Sequence, residues 1–376
     1  MPAIAPSRLR SRLRVVPRAL ARNLLGPRAR PTEVRRVLVA HHLLAGDVLM
    51  LAPLLAKLRA VHPAAEVDMT VRKAMLRLFD GRPFGVRALA YDPRDATTLD
   101  ALCTTADYDV AYVPGDNRYS WLAAAAGARW IVAFEGDRPR PKSWPVDETR
   151  SYRDRPAAWG DMVADLVDGP APAPMLRSDW PRPRCAPFDR PQGCYAVLHV
   201  EASTPLKHWE PAKWWQLAER LAEQGLHIVW SAGPGGEPLL ADIDPQGRYL
   251  RLGHRLDLAQ LWHLVADAAL LVCPDTSVMH IGRLVATPTV ALYGPSATDL
   301  FGPGDFLRGI PYRAITIPDF PCRDQNRLFK RELAWVRRCQ RSTRECDSPR
   351  CMHAIGVDQV AETSLALVKE VRARCD

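Results

Sequence analysis

Charged and hydroxyl side chains follow predicted strands at four points of this 376-residue chain. The first is Ala45-Gly46-Asp47, a glycine turn that opens a predicted helix with a carboxylate. As an N-cap, Asp47 would accept hydrogen bonds from the N–H groups of the first helical turn. As a general base, it would take the proton from a substrate hydroxyl. The residue type and its position fit both roles.

Two loops in the second half of the chain carry groups that bind phosphates and sugars. Residues 203–209 read Ser-Thr-Pro-Leu-Lys-His-Trp, so the Thr204 hydroxyl, helix-start amides and the Lys207 ammonium can contact one anion. Residues 232–237 read Ala-Gly-Pro-Gly-Gly-Glu. The glycines let the backbone approach a ligand closely, and Glu237 can accept hydrogen bonds from ribose or sugar hydroxyls.

The fourth point is the loop 274–280, where polar side chains are densest. Asp275 ends a predicted strand, and Thr276, Ser277 and His280 lie in or near the first turn of the helix that follows. Four polar groups at one strand end exceed what helix capping requires. The loop is therefore predicted to bind a ligand.

The elements that position these loops alternate between strand and helix, as in βαβ units. Apolar runs predict strands at 37–42, 67–71, 86–91, 110–113, 130–134, 195–200, 227–231, 269–273 and 289–293. Helical spacing predicts helices at 47–61, 72–79, 120–126, 161–167, 211–224, 256–266 and 276–285. Because ligands of such sheets bind at the carboxyl ends of the strands, all four loops lie where chemistry is expected.

The order of elements predicts an α/β protein with two Rossmann-like domains that face each other across a cleft. A stretch rich in proline separates the two sets of strands and is predicted to be a linker. The predicted parts are a basic arm at 1–35, an N-terminal domain at 36–168, the linker at 169–192, a C-terminal domain at 193–355 with a cysteine-rich segment at 322–351, and a helix at 356–376.

The formal net charge of +9 is an N-terminal feature. Residues 1–36 hold ten arginines against Glu33, so the remainder of the chain is formally neutral. A neutral body has no excess charge with which to coat a phosphate backbone, which argues against a nucleic-acid partner. No stretch approaches the 18 to 20 apolar residues of a membrane-spanning helix.

The arm alternates arginines with leucine and valine and is interrupted by Pro17 and Pro27. Three interpretations remain open: a disordered tail or misassigned start, an anchor that lies on anionic lipid, and an organellar transit peptide. Without the apolar core of a secretory signal, the expected location is the reducing cytoplasm, with peripheral attachment to the inner face of the membrane as an extension.

Four of the nine cysteines fall within thirty residues: Cys322, Cys339, Cys346 and Cys351. Four thiols in a short segment can hold Zn or Fe tetrahedrally, although no CxxC pair is present. A set of ordinary cysteines without a metal and a labile disulfide are the alternatives.

Three stretches, in this order, resemble glycosyltransferase family 9, the heptosyltransferases that use ADP-heptose. They are residues 46–71, beginning GDVLMLAPLL, residues 197–221, beginning VLHVEASTPLKHW, and residues 273–304, beginning CPDTSVMHIG. The resemblance covers about residues 36 to 360. It implies a GT-B fold, an acceptor-side N-terminal domain, a nucleotide-sugar-binding C-terminal domain and an inverting transfer that requires no cofactor.

The resemblance also implies roles for individual residues, which replace the cap interpretation of Asp47 by a catalytic one. These roles are the catalytic base for Asp47, phosphate contacts for Lys207 and Thr204, a ribose or sugar carboxylate for Glu237, donor binding for Asp275 and His280, and helix-start amides at Thr276 and Ser277. The chain departs from the family at Glu201, where a glycine is usual, and a carboxylate there would repel a diphosphate unless it is turned away.

The implied donor is ADP-heptose and the implied acceptor a lipopolysaccharide core or another glycan, including a lipid-linked one, at an anionic membrane surface. Two alternatives remain. One is a heptosyltransferase that acts on protein hydroxyls and carries a metal-binding cysteine finger. The other, of a different class, is a protein that senses a nucleotide and binds an anionic polymer without transfer activity, because residues 322–350 hold nine basic residues against four acidic ones.

Overall fold

The computed structural model describes residues 8–24, 28–104, 107–253 and 255–373. Contacts between residues divide the chain into two units. Unit 1 comprises Met1–Arg155, Gly160–Ala173 and Arg327–Ala334, and unit 2 comprises Pro156–Trp159, Pro174–Asn326 and Trp335–Asp376. The predicted linker thus contributes to both units, and the predicted domain boundaries stay predictions.

Unit 1 is built on a parallel sheet of six strands in the order β3-β2-β1-β4-β5-β6. The strands are β1 (Arg36–Val39), β2 (Glu66–Val71), β3 (Val86–Ala90), β4 (Val110–Val113), β5 (Trp130–Phe134) and β6 (Glu148–Arg150). Val37 of β1 lies opposite Val67 of β2 and Val110 of β4. These central strands are almost wholly buried, as expected for a parallel sheet covered on both faces.

The helices of the first half of the chain are α1 (Arg8–Leu24), α2 (Ala45–Leu49), α3 (Ala52–Val61), α4 (Ala96–Thr104), α5 (Ser120–Ala125) and α6 (Trp159–Ala164). Helix α1 packs on α5 and α4. Its Ala19 is fully buried and belongs to the same apolar core as Leu38 of β1 and Leu122 of α5. The described part of the arm is therefore a docked helix, and a disordered tail is the wrong interpretation for it.

Unit 2 repeats the architecture with the strand order β12-β11-β10-β7-β8-β9. Its parallel strands are β7 (Tyr195–His199), β8 (His227–Ser231), β9 (Leu250–Arg251), β10 (Leu270–Pro274), β11 (Thr289–Tyr293) and β12 (Tyr312–Thr316). Its helices are α7 (Pro211–Glu223), α8 (Glu237–Ile243), α9 (Leu258–Ala266), α10 (Ser277–Leu284), α11 (Thr298–Phe301), α12 (Arg350–His353) and α13 (Val357–Arg372).

A short antiparallel hairpin, β13 (Arg327–Leu328) with β14 (Arg331–Glu332), interrupts the last part of the chain. By its contacts this hairpin belongs to unit 1, although the segments before and after it belong to unit 2. None of the helices within the described residues combines the length and the apolar character needed to span a bilayer.

The predicted α/β class with two Rossmann-like sheets is confirmed. The predicted helix 47–61 is wrong in one respect, because it is divided into α2 and α3 at Met50 and Leu51. Residues 73–79 form a 3₁₀ helix rather than an α-helix. The predicted arm and final helix include residues 1–7, 25–27 and 374–376, which lie outside the described residues.

Candidate functional site

The sheet of unit 2 changes direction between β7 and β10. From β7 the chain moves outward to β8 and β9, and it then returns to β10 on the other side of β7. The carboxyl ends of β7 and β10 therefore flank the crevice in which doubly wound sheets bind ligands. The loops that follow these two strands hold Thr204, Lys207 and Asp275.

Lys207 and Asp275 form a hydrogen-bonded ion pair at this edge. Lys207 Nζ donates to Asp275 Oδ2 at 2.7 Å and to the main-chain oxygen of Asp275 at 3.1 Å. The Asp275 side chain is 7% exposed and the Lys207 side chain 21%. A charge this deeply buried needs such a partner, so the pair fixes the position of the lysine as well as its charge.

Three groups keep Asp275 ionised. Burial by itself would raise the pKa of Asp275, but the Lys207 ammonium, the Ser296 hydroxyl and the Arg283 guanidinium outweigh burial and hold the pKa below its ordinary value. Ser296 lies after β11, the neighbour of β10. Residues from three adjacent strand ends thus converge on one carboxylate.

His280 joins this network through Arg283, three residues further along α10. Arg283 is 2% exposed, and its Nη2 donates to His280 Nδ1 while its Nη1 donates to the Phe301 oxygen at 2.9 Å. Burial, then the Arg283 and Lys207 cations, place the pKa of His280 well below its ordinary value. The imidazole is therefore neutral, with its proton on Nε2 because Nδ1 accepts from the guanidinium.

The hydroxyl side chains in the loops after β7 and β10 make different local hydrogen bonds. Thr204 Oγ1 accepts from Leu206 N at 3.4 Å and so orders the 3₁₀ turn that carries Lys207. Thr276 is the N-cap residue of α10, but its side chain makes no capping hydrogen bond. Thr276 and Ser277 are half-buried beside the first amides of this helix, which is the arrangement that binds phosphate oxygens.

Glu237 begins α8 at the carboxyl end of β8, and its side chain passes over Gly253. Glu201, the departure from the family pattern, is turned towards the glycine-rich loop. A Cβ placed on Gly236 would lie 2.5 Å from Glu201 Oε2, so only glycine leaves room for this carboxylate. Glu201 Oε2 is buried and has no hydrogen-bond partner within the described part of the chain.

In unit 1, Asp47 lies beyond the carboxyl end of β1, at the change of direction between β1 and β4. The N-cap of α2 is Leu44, so Asp47 is a half-buried residue of the first turn and not the cap. The loop before it is fixed by Thr70, whose Oγ1 accepts from His41 N at 2.8 Å and donates to the His41 oxygen at 2.7 Å. A fixed loop and a half-buried carboxylate suit a base that must meet a substrate.

The cysteine-rich segment brings three of its four thiols near one another. Burial, then the neighbouring Cys322 and Cys339 thiols, raise the pKa of Cys351 to about 11, so that this thiol is protonated at neutral pH. Cys346 Sγ donates instead to the Ser348 oxygen at 3.5 Å. Among the described residues, no group of three or more histidine, cysteine or acidic side chains has an arrangement that could hold a metal ion. The metal site at these four cysteines therefore stays a prediction.

Three buried or bonded residues were not predicted from the sequence. Arg283 and Ser296 belong to the network around Asp275, and Arg331 lies in the β13–β14 hairpin. Arg283 sits one helical turn after His280, a spacing that could have indicated a shared face. Arg331 is 4% exposed, and its guanidinium donates to the oxygens of Gly115, Phe134 and Glu135 and to Asn117 Oδ1. No local pattern indicates that role, because its partners are about 200 residues away.

Comparisons with known proteins relate this chain to a family of glycosyltransferases. The family model described as glycosyltransferase family 9 (heptosyltransferase) matches residues 101–319. Lipopolysaccharide heptosyltransferase 1 of Pseudomonas aeruginosa is 27% identical over 229 residues, which are 57% of this chain and 61% of that protein. The match thus spans about three fifths of that relative and 34% of the corresponding protein of Salmonella typhimurium.

Solved structures show the same fold. The ADP-heptose lipopolysaccharide heptosyltransferase II of Escherichia coli, at 18% identity, superposes with a TM-score of 0.68 over 90% of this chain and 99% of that chain. The Escherichia coli heptosyltransferase WaaC, solved with ADP-2-deoxy-2-fluoro heptose, superposes with a TM-score of 0.60 over 75% of this chain and 93% of that chain, also at 18% identity. The predicted GT-B class is thereby confirmed.

Proposed function

The chain belongs to glycosyltransferase family 9, and we propose that it moves a heptose or a related sugar, with inversion, from an ADP-sugar to a hydroxyl of a lipopolysaccharide core or another glycan. The observation that carries this proposal is the Lys207–Asp275 pair at the change of strand order in unit 2. The relatives named above support the sugar and the nucleotide, since one was solved with an ADP-heptose analogue.

In the proposed reaction, unit 2 binds the donor through its diphosphate. Lys207, held by Asp275, supplies a positive charge, and the first amides of α10 around Thr276 and Ser277 supply hydrogen-bond donors. These groups stabilise the diphosphate as negative charge develops on it during departure. The neutral His280 contributes a hydrogen-bond donor rather than a second cation. Thr204 and Glu237 complete the donor contacts.

The acceptor is activated by unit 1 in this proposal. The carboxylate of Asp47 removes the proton from the acceptor hydroxyl as its oxygen attacks the anomeric carbon and the bond to the diphosphate breaks. A single displacement of this kind inverts the anomeric configuration. The cations and amides of unit 2 provide the electrostatic stabilisation, so the proposal includes no metal cofactor in the chemical step.

Replacement of Asp47 tests the proposed chemistry. In Asp47→Asn, loss of the base is expected to lower turnover by about 10² to 10⁴ while affinity for the donor stays within about twofold. Asp80→Asn, at an exposed carboxylate of the same unit, is the matched control and should keep wild-type turnover. An Asp47→Asn enzyme that keeps more than about a tenth of wild-type turnover would contradict the role of Asp47.

We further propose that the enzyme works in the cytoplasm, on an anionic membrane surface. Leu9, Leu13 and Leu20 lie at helical spacing on α1 and are 65%, 65% and 38% exposed, and the half-exposed Arg14 and Arg18 lie on the same helix. An apolar stripe with arginines beside it is the pattern of helices that lie in the interface of an anionic bilayer. Such a surface is where a lipid-linked acceptor would be met.

A further inference from the structure

A cavity of about 840 Å³ lies within unit 1, at the carboxyl edge of its sheet. Four aromatic side chains line it, and three of them lie side by side: His42 after β1, Tyr91 after β3 and Tyr119 after β4. The ring centroid of His42 lies 6.1 Å from that of Tyr91 and 6.4 Å from that of Tyr119, and the two tyrosine rings are 6.5 Å apart. Three contiguous rings form an apolar wall on which the faces of sugar rings can pack.

The remainder of the lining is strongly basic. Six cationic side chains stand against two carboxylates: Arg12, Arg72, Lys73, Arg94, Arg118 and Lys142 against Asp92 and Asp95. Two of the cations have acidic partners just outside the cavity, since Arg118 and Lys142 both pair with Asp116 at 2.9 Å. An excess of positive charge beside an aromatic wall fits a glycan that carries an anionic substituent.

One side of this cavity is formed by α1, through Ser11, Arg12, Val15 and Val16. The helix is held in place by Arg22, whose guanidinium donates to the oxygens of Ala128 at 2.7 Å, Pro145 at 3.1 Å and Arg129 at 2.9 Å, and to Asp147 Oδ2 at 2.6 Å. The helix that forms this wall is thus joined to unit 1 by hydrogen bonds as well as by packing.

Ser11 places a buried hydroxyl in the wall of this cavity. It is 4% exposed, and its Oγ has no hydrogen-bond partner among the residues that the structure describes. A buried hydroxyl without a partner is costly unless water or a ligand group completes its hydrogen bonds.

We propose that α1 is a specificity element of the acceptor site, in which Arg12 binds an anionic substituent, phosphate or carboxylate, of the glycan while its sugar rings pack on His42, Tyr91 and Tyr119. This inference rests on the proposed function, because it names the class of acceptor that the transferase takes. A guanidinium binds either anion through paired N–H donors, so phosphate and carboxylate share one recognition chemistry.

The test compares Arg12→Ala with Arg18→Ala in the full chain. Arg18 lies on the same helix outside the cavity and pairs with Asp100 only at 3.8 Å, so it is a matched control. With a phosphorylated or a carboxylated acceptor oligosaccharide, Arg12→Ala should raise KM about tenfold or more, with kcat and the donor KM unchanged. With the neutral form of that oligosaccharide, the two variants should have equal KM. Comparison of the phosphorylated and carboxylated acceptors identifies which anion the site takes.

Equal KM values for Arg12→Ala and Arg18→Ala on both anionic acceptors would overturn the proposal, provided that both variants unfold at the wild-type temperature. Calorimetric titration of the same oligosaccharides separates this inference from the proposed function. Tighter binding of the anionic form that depends on Arg12, without transfer by the wild type, would uphold the site and reject the transferase. Transfer by the wild type with no effect of Arg12 would do the reverse.

Discussion

The pairing of Lys207 with Asp275 links the stability of unit 2 to the charge of the proposed donor site. Lys207→Met leaves a buried carboxylate without its main partner, and we expect a loss of about 3 kcal/mol in the free energy of unfolding. Adding Asp275→Asn should restore most of that loss. Urea titrations of the wild type, both single variants and the double variant measure the coupling. A loss below about 1 kcal/mol in Lys207→Met would contradict the buried pair.

The Lys207–Asp275 pair also determines how the stability of the protein changes with pH. Because the folded-state pKa of Asp275 lies below its ordinary value of 3.8, its contribution to stability is present above about pH 4 and is lost as the pH falls through the folded pKa. The wild type should therefore lose more stability than the double variant when the pH falls from 5 to 3. Parallel losses in the two proteins would show that Asp275 is not the group responsible.

Residues beside strand ends were predictable from the sequence, and their partners were not. Lys207, Asp275 and His280 stand out because polar groups cluster directly after apolar strands. Ser296 and Arg283 lack that signal, since a serine in a loop and an arginine in a helix usually face solvent. Their burial depends on which strands are neighbours. Strand order is a property of the fold and cannot be read from a single loop.

The hairpin of β13 and β14 is joined to the sheet of unit 1 by hydrogen bonds from the Arg331 side chain. Arg331→Ala would remove a buried donor from four oxygens at the strand ends of unit 1, and we expect a loss of about 3 kcal/mol. Arg327→Ala, in the same hairpin, removes an exposed pair with Glu332 and should change stability by less than about 0.5 kcal/mol. Chemical denaturation measures both, and equal effects would contradict the anchoring role of Arg331.

The exposed leucines of α1 lead to a separate prediction about membrane binding. Leu9→Ser with Leu13→Ser should weaken binding to vesicles of phosphatidylcholine and phosphatidylglycerol by about tenfold, because two exposed apolar side chains no longer enter the interface. Leu44→Ser, at another exposed leucine, is the control. Truncation of the arm is a poorer test, since Ala19 and Arg22 are part of unit 1. Unchanged binding of the double variant in cosedimentation would reject the stripe.

Most long strands and helices could be predicted from the apolar pattern of the sequence. Short elements, and those with an ambiguous pattern, could not. The central strands of both sheets lie at or near their predicted positions because buried parallel strands are continuous apolar runs. Strands β6 and β9 have three and two residues and lie at sheet edges, where alternation is too short to detect. Helix α1 was ambiguous because its arginines and Pro17 mask the face that packs on α5.

At the scale of the whole molecule, arginines of the basic arm form ion pairs with acidic residues of unit 1. Arg22 and Arg28 both pair with Asp147 at 2.6 and 2.7 Å, and Arg30 pairs with Asp168. The net charge of +9 therefore arises from an arm that is partly neutralised where it docks. The arginines that remain exposed on α1 lie next to an apolar stripe, which favours a membrane surface over a nucleic acid as the partner of that charge.

This family 9 protein is proposed to transfer a heptose or a related sugar from an ADP-sugar, with Asp47 as the base. The most direct measurement follows ADP release and sugar transfer to an anionic glycan acceptor for the wild type, Asp47→Asn and Asp80→Asn, with donor binding measured in parallel. The wild type and Asp80→Asn should turn over alike, and Asp47→Asn should bind donor normally but turn over at least a hundredfold more slowly. Absence of transfer by the wild type, or turnover of Asp47→Asn within tenfold of it, would contradict the account.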